Sequence, residues 1–349
     1  MLTASAICRS RIITLIPSTT AATSRALSTS AVGRAVGSIA APPLIADNDD
    51  ITHAKKVTDC YSYYEDMSDF VGISDYTDGI YNGKRDTVYE EAQVNQTNYL
   101  LDQAEIGPGA RLLDVGCGRG RLLQAAKDRG AEVMGITISP EQKEYCRRKG
   151  LDVRLQDYRA LEHKQEWHGQ FDAVIANGSM EHFVSTKDGL ARRAGDIYEN
   201  TFGIYHKLIN PSAESRRVVT TVIHHRPRNG KRMNLSLSDK IMFGLLAEAY
   251  GGWYPLDGQL EKSADGKFRS IEKVDGTEDY LWTSIDAFAV MRQKRSDNPV
   301  GYMRNLAATG IRAPLFAANP WMSTWQFRGS DSNPPPTVLY RHTWEYQDA

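Results

Sequence analysis

The chain has 349 residues, and its 41% hydrophobic and 24% charged residues are typical of a soluble globular protein with a large core. The formal net charge of -1 and the lack of a dense run of Lys and Arg exclude an electrostatic footprint for nucleic acid. No apolar stretch reaches the length of a membrane span, so the sequence predicts no transmembrane segment. The four cysteines have no CxxC spacing and predict neither a zinc site nor a disulfide framework.

The first 46 residues differ in composition from the rest of the chain. They are rich in Arg, Ser, Thr and Ala, and no acidic residue precedes Asp47. This composition is typical of an organelle transit peptide. Arg25-Ala-Leu-Ser28 resembles a mitochondrial processing site, so we expect a mitochondrial protein whose mature chain begins near Ser28. A chloroplast destination and an untargeted tail remain open alternatives.

Helices and strands alternate from residue 85 onward. We expect a helix from Asp86 to Glu105, a second helical stretch that ends at Arg129, and a third helix with Ser139 as its N-cap. Short apolar strands are predicted at Arg111–Val115, Glu132–Ile138, Val153–Leu155, Phe171–Ala176 and Val218–Ile223. Because strands and helices alternate, the sequence predicts an α/β fold with a parallel, doubly wound sheet.

A glycine-rich turn follows the first predicted strand in the sequence LDVGCGRG, with Asp114 at the strand end. Glycines at such a turn allow a ligand to approach the backbone closely. The spacing is GxGxG and differs from the GxGxxG of dinucleotide sites, and the second strand ends in GITIS without an acidic residue to hold a ribose. Taken alone, this turn is also compatible with simple packing of a strand on a helix.

A second polar segment, GSMEHF at Gly178–Phe183, comes directly after the predicted strand Phe171–Ala176. It places the carboxyl group of Glu181 beside the imidazole of His182. The pair is compatible with a general base, with metal ligands, with a surface that orients a substrate, or with two structural polar residues.

These motifs together resemble the class I S-adenosylmethionine-dependent methyltransferases, in the branch of the cyclopropane-fatty-acid synthases. LLDVGCGRG resembles their nucleotide loop, GITISPEQ their second-strand signature, LQDYR their adenine-side segment and GSMEHF their Gly-x-x-Glu-His motif. Upstream, Tyr76–Tyr81 resembles the motif that folds over the methionine end of the cofactor. The resemblance implies a Rossmann-like sheet of seven strands, an N-terminal helical lid within residues 47–105, and a methyltransferase domain from 106 to 349.

The resemblance also implies S-adenosylmethionine as the cofactor and assigns the site residues by position. Those implied to contact the cofactor are Tyr76, Thr77, Asp114, Gly116, Gly118, Thr137, Ile138, Gln142, Gln156, Asp157, Tyr158 and Asn177. Those implied to serve catalysis are Glu181, His182 and Tyr76.

Two departures from the resemblance concern the reaction. Cyclopropane synthases carry a cysteine of a bicarbonate site where this chain has Asp78, and a histidine at the end of the fifth strand where it has Thr221, with His224 close by. The bicarbonate takes up a proton from a carbocation. The departures therefore favour methyl transfer to a heteroatom over cyclopropanation.

The rest of the chain diverges further from that branch. Residues 226–298 are interpreted as an insertion that contacts the substrate, and the last two strands are predicted at Thr324–Arg328 and Val338–Tyr346. Asn333-Pro334-Pro335 imitates an amino-methylating motif at the wrong place in the fold and is interpreted as a turn.

Over its whole length the chain resembles the algal methylthiohydroxybutyrate S-methyltransferases of dimethylsulfoniopropionate synthesis. This second resemblance implies a small thioether hydroxy acid as the acceptor, and a thioether has no proton to lose to a base. The residues implied to contact it are Tyr64, Glu181, Arg226, Trp253 and Tyr254. Arg226 would anchor the carboxylate, and a solvated basic loop is the alternative for that region.

Two other functions stay open at this stage. The chain could methylate a lipid or another small molecule at carbon, nitrogen or oxygen, or it could be a non-catalytic mitochondrial assembly protein that keeps the fold. A homodimer is also left open.

Overall fold

Seven strands form one mixed sheet in the computed structural model, which describes residues 52–59, 77–226, 237–308, 310, 313–329 and 334–348. The strands are β1 (Arg111–Val115), β2 (Glu132–Thr137), β3 (Val153–Leu155), β4 (Ala173–Asn177), β5 (Arg217–His225), β6 (Phe268–Asp275) and β7 (Thr337–Tyr346). Their order across the sheet is β3-β2-β1-β4-β5-β7-β6, and β7 alone runs antiparallel to both of its neighbours. The predicted seven-stranded α/β fold is confirmed.

Helices cover the two faces of this sheet. They are α1 (52–59), α2 (Tyr89–Gln103), α3 (Arg121–Asp128), α4 (Pro140–Arg148), α5 (Thr186–Leu190), α6 (Ala194–Leu208), α7 (Leu237–Tyr250), α8 (Gln259–Ala264), α9 (Thr277–Asp297), α10 (Pro299–Ala308) and α11 (Ala313–Trp325). Among the described residues, no helix combines the length and the apolar character that crossing a membrane requires. The predicted transit peptide lies outside the described residues.

The central strands are buried on both faces, as expected for parallel strands between two helical layers. Along β4, Val174 and Ala176 pack in a core that includes Phe202 of α6, whereas Ala173 and Ile175 pack in a second core beneath α2. Successive side chains of a strand point to opposite faces, so the continuous apolar run of β4 supplies both cores.

Several predicted boundaries agree with the structure to within two residues. β1 and β3 have the predicted bounds, and α4 begins with Pro140 after Ser139, whose hydroxyl accepts a hydrogen bond from the Gln142 amide. The amide of Gln142 is one of the otherwise unpaired groups of the first helical turn, so the cap fixes where the helix begins.

The predicted sixth strand, Thr324–Arg328, is wrong. Thr324 and Trp325 end helix α11, and the sixth strand of the sheet is Phe268–Asp275. That strand lies inside residues 226–298, so this segment is not one insertion after β5. Helices α7 and α8 connect β5 to β6, and α9 follows β6. β6 is an edge strand with mostly exposed charged side chains, and it lacks the apolar run by which a buried strand is recognised.

Candidate active site

A cavity of about 1180 Å³ lies at the carboxyl ends of β1 to β5. Its lining includes every described residue that the resemblance assigns to the cofactor: Thr77, Asp114, Gly116, Gly118, Thr137, Ile138, Gln142, Gln156, Asp157, Tyr158 and Asn177. Tyr76 and Tyr64 lie outside the described residues. Ligands of open α/β sheets bind at this edge, so these residues stand where a nucleotide-like cofactor is expected.

The glycine-rich turn after β1 packs against the loop after β4. Gly116 has a φ of 82°, and a Cβ atom there would come within 2.5 Å of the Ser179 Cβ. The Ser179 hydroxyl donates a hydrogen bond of 2.6 Å to the Val115 carbonyl. Position 116 therefore requires glycine both for its backbone angle and for the close approach of the two loops.

The ends of β2 and β3 present polar groups to the cavity. The Thr137 hydroxyl donates to the Gln142 side-chain oxygen at 2.7 Å. Asp157 is buried and accepts two hydrogen bonds from the Arg159 guanidinium, at 2.9 and 2.8 Å. The pair of Asp157 and Arg159 fixes the conformation of the segment after β3 along the cavity wall.

The segment before α2 is held to the sheet by a polar network around Gln96. The Gln96 side-chain nitrogen lies 3.1 Å from Asp78 Oδ1 and 3.3 Å from the Thr221 hydroxyl. Asn177 donates to the Thr77 hydroxyl at 2.6 Å. The network brings Thr77, Asp78 and Asn177 together at one end of the cavity, although they are distant in sequence.

Arg341 of β7 completes that network as a buried cation. Its guanidinium donates to Asp78 Oδ2 and to Asp279 Oδ2, both at 3.0 Å, and its side chain is only 2% exposed. Burial raises the pKa of Asp78 to about 6, against the lowering effect of Arg341. The sequence interpretation did not single out Arg341, although a lone Arg within an apolar and aromatic strand is a recognisable sign of a buried ion pair.

Glu181 lies in a short 3-10 turn, Met180–His182, just after β4. Its Oε1 accepts a hydrogen bond of 2.9 Å from the Ile223 amide, whereas Oε2 has no partner among the described residues. Burial raises the pKa of Glu181 to about 7, and the nearby Asp78 charge adds to this. With this pKa the carboxyl group changes charge near neutral pH, and a cation bound in the cavity would favour its charged form.

The other predicted catalytic residue, His182, also lines the cavity. Its carbonyl lies 2.7 Å from the imidazole Nε2 of His53, which belongs to α1. The turn that carries Glu181 is therefore attached to α1 as well as to β5.

The predicted substrate residues separate into two groups. Trp253 and Tyr254 line the cavity, and the Trp253 amide donates to the Glu181 carbonyl at 3.0 Å. Arg226 does not line the cavity. It follows the end of β5, and its guanidinium pairs at 3.0 Å with Asp275, the last residue of edge strand β6. The predicted role of Arg226 as a carboxylate anchor is not supported. His225, Lys240 and Gln326 line the cavity instead and were not predicted.

No group of three or more His, Cys, Asp or Glu side chains in the described part of the chain is arranged to hold a metal ion. The cavity thus has two parts. One is the cleft lined by the residues assigned to the cofactor, and the other is a chamber beside Glu181 whose walls include Trp253, Tyr254 and Phe243.

Comparison with known proteins identifies the family. The sequence profile of the mycolic acid cyclopropane synthetase family matches residues 50–232, just over half of the chain. Cyclopropane mycolic acid synthase 3 of Mycobacterium tuberculosis is 22% identical over 227 residues, which are 63% of this chain and 75% of that protein.

Solved structures show the same fold. The cyclopropane synthase MmaA2 from Mycobacterium tuberculosis superimposes with a TM-score of 0.67 at 18% identity, over 84% of this chain and 98% of that one. The cyclopropane synthase CmaA1 complexed with SAH and CTAB has a TM-score of 0.66 at 16% identity, with the same coverage. SAH is what remains of S-adenosylmethionine after methyl transfer. The chain belongs to the mycolic acid cyclopropane synthetase family and is a class I methyltransferase that uses S-adenosylmethionine.

Proposed function

We propose that the enzyme methylates the sulfur atom of 4-methylthio-2-hydroxybutyrate and forms 4-dimethylsulfonio-2-hydroxybutyrate, a step of dimethylsulfoniopropionate biosynthesis. The acceptor comes from the second resemblance described above, and the architecture of the site supports it.

The proposed chemistry is an in-line displacement. A lone pair of the acceptor sulfur forms the new carbon–sulfur bond while the methyl–sulfur bond of the cofactor breaks, which leaves neutral S-adenosylhomocysteine. The positive charge moves from the cofactor sulfur to the acceptor sulfur, and no proton is lost. The protein has to align the two sulfurs, exclude water and stabilise a cation. Glu181 and the aromatic rings of Trp253 and Tyr254 suit the last task.

The observation that carries the proposal is the ion pair of Asp78 with Arg341. By the resemblance, cyclopropane synthases keep a cysteine of their bicarbonate site at position 78. Here the side chain is a carboxyl group whose Oδ2 binds Arg341 and whose Oδ1 binds Gln96. Both oxygens of Asp78 are thus engaged, so position 78 does not reproduce the bicarbonate site that the resemblance implies for cyclopropane synthases, and an acceptor that releases no proton does not need one.

A lipid acceptor is the second candidate because of the apolar part of the chamber. Phe243 and Leu246 of α7 and Phe288 of α9 line the same cavity. Relatives such as the cyclopropane-fatty-acyl-phospholipid synthase of Escherichia coli are named for lipid substrates. Methylation of an acyl chain would use these side chains as its wall.

The two candidates are separated by one assay on the purified chain with methyl-labelled S-adenosylmethionine. The acceptors are methylthiohydroxybutyrate, methionine, methylthiopropionate and an unsaturated phospholipid. We expect label only in the sulfonium product of the hydroxy acid. The control variant Arg226→Gln should have the same KM for the hydroxy acid as the wild-type chain. Label only in lipid would disprove S-methylation, and cofactor binding without any turnover would favour a non-catalytic role.

We also propose that residues 1–46 direct the chain to the mitochondrion, on the strength of their composition and of the Arg25–Ser28 sequence. A fusion of these residues to a fluorescent protein should colocalise with a mitochondrial marker. Fluorescence in chloroplasts or in the cytosol would contradict the proposal.

A further inference from the structure

Three buried polar side chains beyond the cofactor cleft line the cavity with an atom that lacks a hydrogen-bond partner. They are Glu181, His225 and Gln326, which are 3%, 7% and 2% exposed. The atoms are Glu181 Oε2, His225 Nδ1 and Gln326 Oε1, and none has a partner among the described residues. A buried polar atom left without a partner costs about 1–3 kcal/mol, so three on one cavity call for an explanation.

The three side chains are connected through the ends of β5 and β7. Glu181 binds the Ile223 amide, and His225 follows two residues later on the same face of β5. His225 pairs in register with Thr337, whose hydroxyl donates to the Gln326 carbonyl at 2.7 Å. At about 3.3 Å per residue, His225 is displaced by about 7 Å from the Glu181 anchor, a distance that a short acceptor can span.

The side chains around His225 are aromatic, which explains why no protein group forms a hydrogen bond with its Nδ1. The ring packs edge-on against Phe243, with 4.5 Å between centroids, and lies tilted against Tyr254, with 5.2 Å between centroids. Burial lowers the pKa of His225 to about 4, so the imidazole is neutral at pH 7 and offers one N–H donor and one acceptor. A neutral ring of this kind can donate its N–H to a carboxylate or a hydroxyl oxygen.

We propose that His225 and Gln326 bind the polar end of the methyl acceptor, while the sulfur end lies beside Glu181. His225 Nδ1, in its protonated tautomer, donates to the carboxylate, and Gln326 Oε1 accepts from the hydroxyl group. The assignment rests on the proposed S-methylation and adds the residues that select the acceptor. An unbranched acyl chain in the same place would leave these polar atoms without partners, so the same residues select against lipid.

The test compares His225→Phe and Gln326→Leu with a matched control, His224→Phe. His224 is the adjacent buried imidazole, but its side chain lies on the opposite face of β5, where Nδ1 contacts the Val222 carbonyl. Each variant is assayed with methylthiohydroxybutyrate and with butyl methyl sulfide, which keeps the thioether but lacks the polar end. Calorimetry measures S-adenosylmethionine binding.

We expect each cavity variant to raise the KM for the hydroxy acid about tenfold or more, which corresponds to one lost hydrogen bond to a buried group. The KM for butyl methyl sulfide and the affinity for the cofactor should change less than about twofold. The His224→Phe variant should leave the ratio of the two KM values unchanged. Equal changes with both acceptors, or no change with either, would overturn the proposal.

Failure of the proposed function gives a different pattern. If the wild-type chain methylates another polar acceptor instead, the S-methylation proposal fails. The two variants should then raise the KM for that acceptor and leave the KM for its apolar analogue unchanged. Binding of the hydroxy acid to the complex with S-adenosylhomocysteine gives a readout without turnover. Wild-type binding that the two variants do not weaken would disprove the assignment of His225 and Gln326 alone.

Discussion

The carboxyl group of Glu181 has one oxygen fixed by the Ile223 amide and a pKa near the middle of the physiological range. An opposite charge nearby favours the ionised form of a carboxyl group. The sulfonium of S-adenosylmethionine should therefore lower the pKa of Glu181, whereas neutral S-adenosylhomocysteine should not. The charge of the cofactor and the protonation of this residue are then linked.

The linkage gives a pH dependence with a definite sign. Glu181 is mostly neutral at pH 6 and mostly charged at pH 8, so S-adenosylmethionine should bind more tightly at the higher pH, by up to about tenfold. We expect the affinity for S-adenosylhomocysteine, measured by calorimetry, to lack this increment, because the two ligands share the same amino acid moiety. In Glu181→Gln the pH dependence of this ratio should be much smaller, because Asp78, with a pKa of about 6, is then the remaining one of these two cavity carboxyl groups that titrates in this range. A wild-type ratio that stays constant from pH 6 to 8 would show that Glu181 does not interact with the sulfonium.

At the scale of elements, the segment before α2 is joined to β7 and α9 by the buried cation Arg341. Removing one partner of a buried ion pair leaves the other charge uncompensated, and Arg341→Met should lower the free energy of unfolding by about 3–5 kcal/mol. In a double variant with Asp78→Asn, the loss should be smaller than the sum of the single losses. Urea denaturation measures all three.

Arg129 supplies the control for that cycle, since it pairs with Asp102 on the surface, where the two side chains are 27% and 67% exposed. Arg129→Met should cost about 1 kcal/mol or less. If Arg341→Met costs no more than this control, the buried ion pair is not what holds the segment in place.

The elements that sequence reasoning predicted are those whose signal is local. β1 is a compact apolar run followed by glycines, and α4 begins at a side-chain cap and a proline. Edge strand β6 has no such signal, because its hydrogen bonds come from β7 alone within the described sheet and its side chains are mostly exposed. Only the folded chain shows that its residues form a strand.

The candidate site divides in the same way. Its cofactor side consists of contiguous motifs that could be recognised one at a time, most of them at the end of one strand and one in the segment before α2. Its other residues meet through contacts between distant parts of the chain: Asp78 and Arg341 are separated by 263 positions, and Glu181 meets Ile223 across 42. A single sequence holds no record of such pairings. Proximity to a strand end therefore made Arg226 a candidate for the substrate site, and His225 was interpreted as a polar residue at the end of the strand.

At the scale of the whole molecule, α1 and α7 cover the cavity. His53 of α1 contacts the His182 carbonyl, and Lys56 of α1 pairs with Glu248 of α7 at 2.6 Å. Both helices contribute side chains to the cavity lining, among them Val57 and Phe243. Exposed ion pairs contribute little to stability, so these two helices should open more readily than the sheet beneath them.

Occupation of the cavity should therefore slow amide hydrogen exchange in α1 and α7 in particular. We expect S-adenosylhomocysteine together with the acceptor to reduce exchange in both helices several-fold, because a bound ligand must be released before the helices open. Helix α10, none of whose residues line the cavity, is the internal control and should be unaffected. Hydrogen exchange with mass spectrometry on the full chain measures the three helices in one experiment. Equal protection of α10 would indicate a general stabilisation of the fold, and no protection of α1 would show that it does not cover the bound ligands.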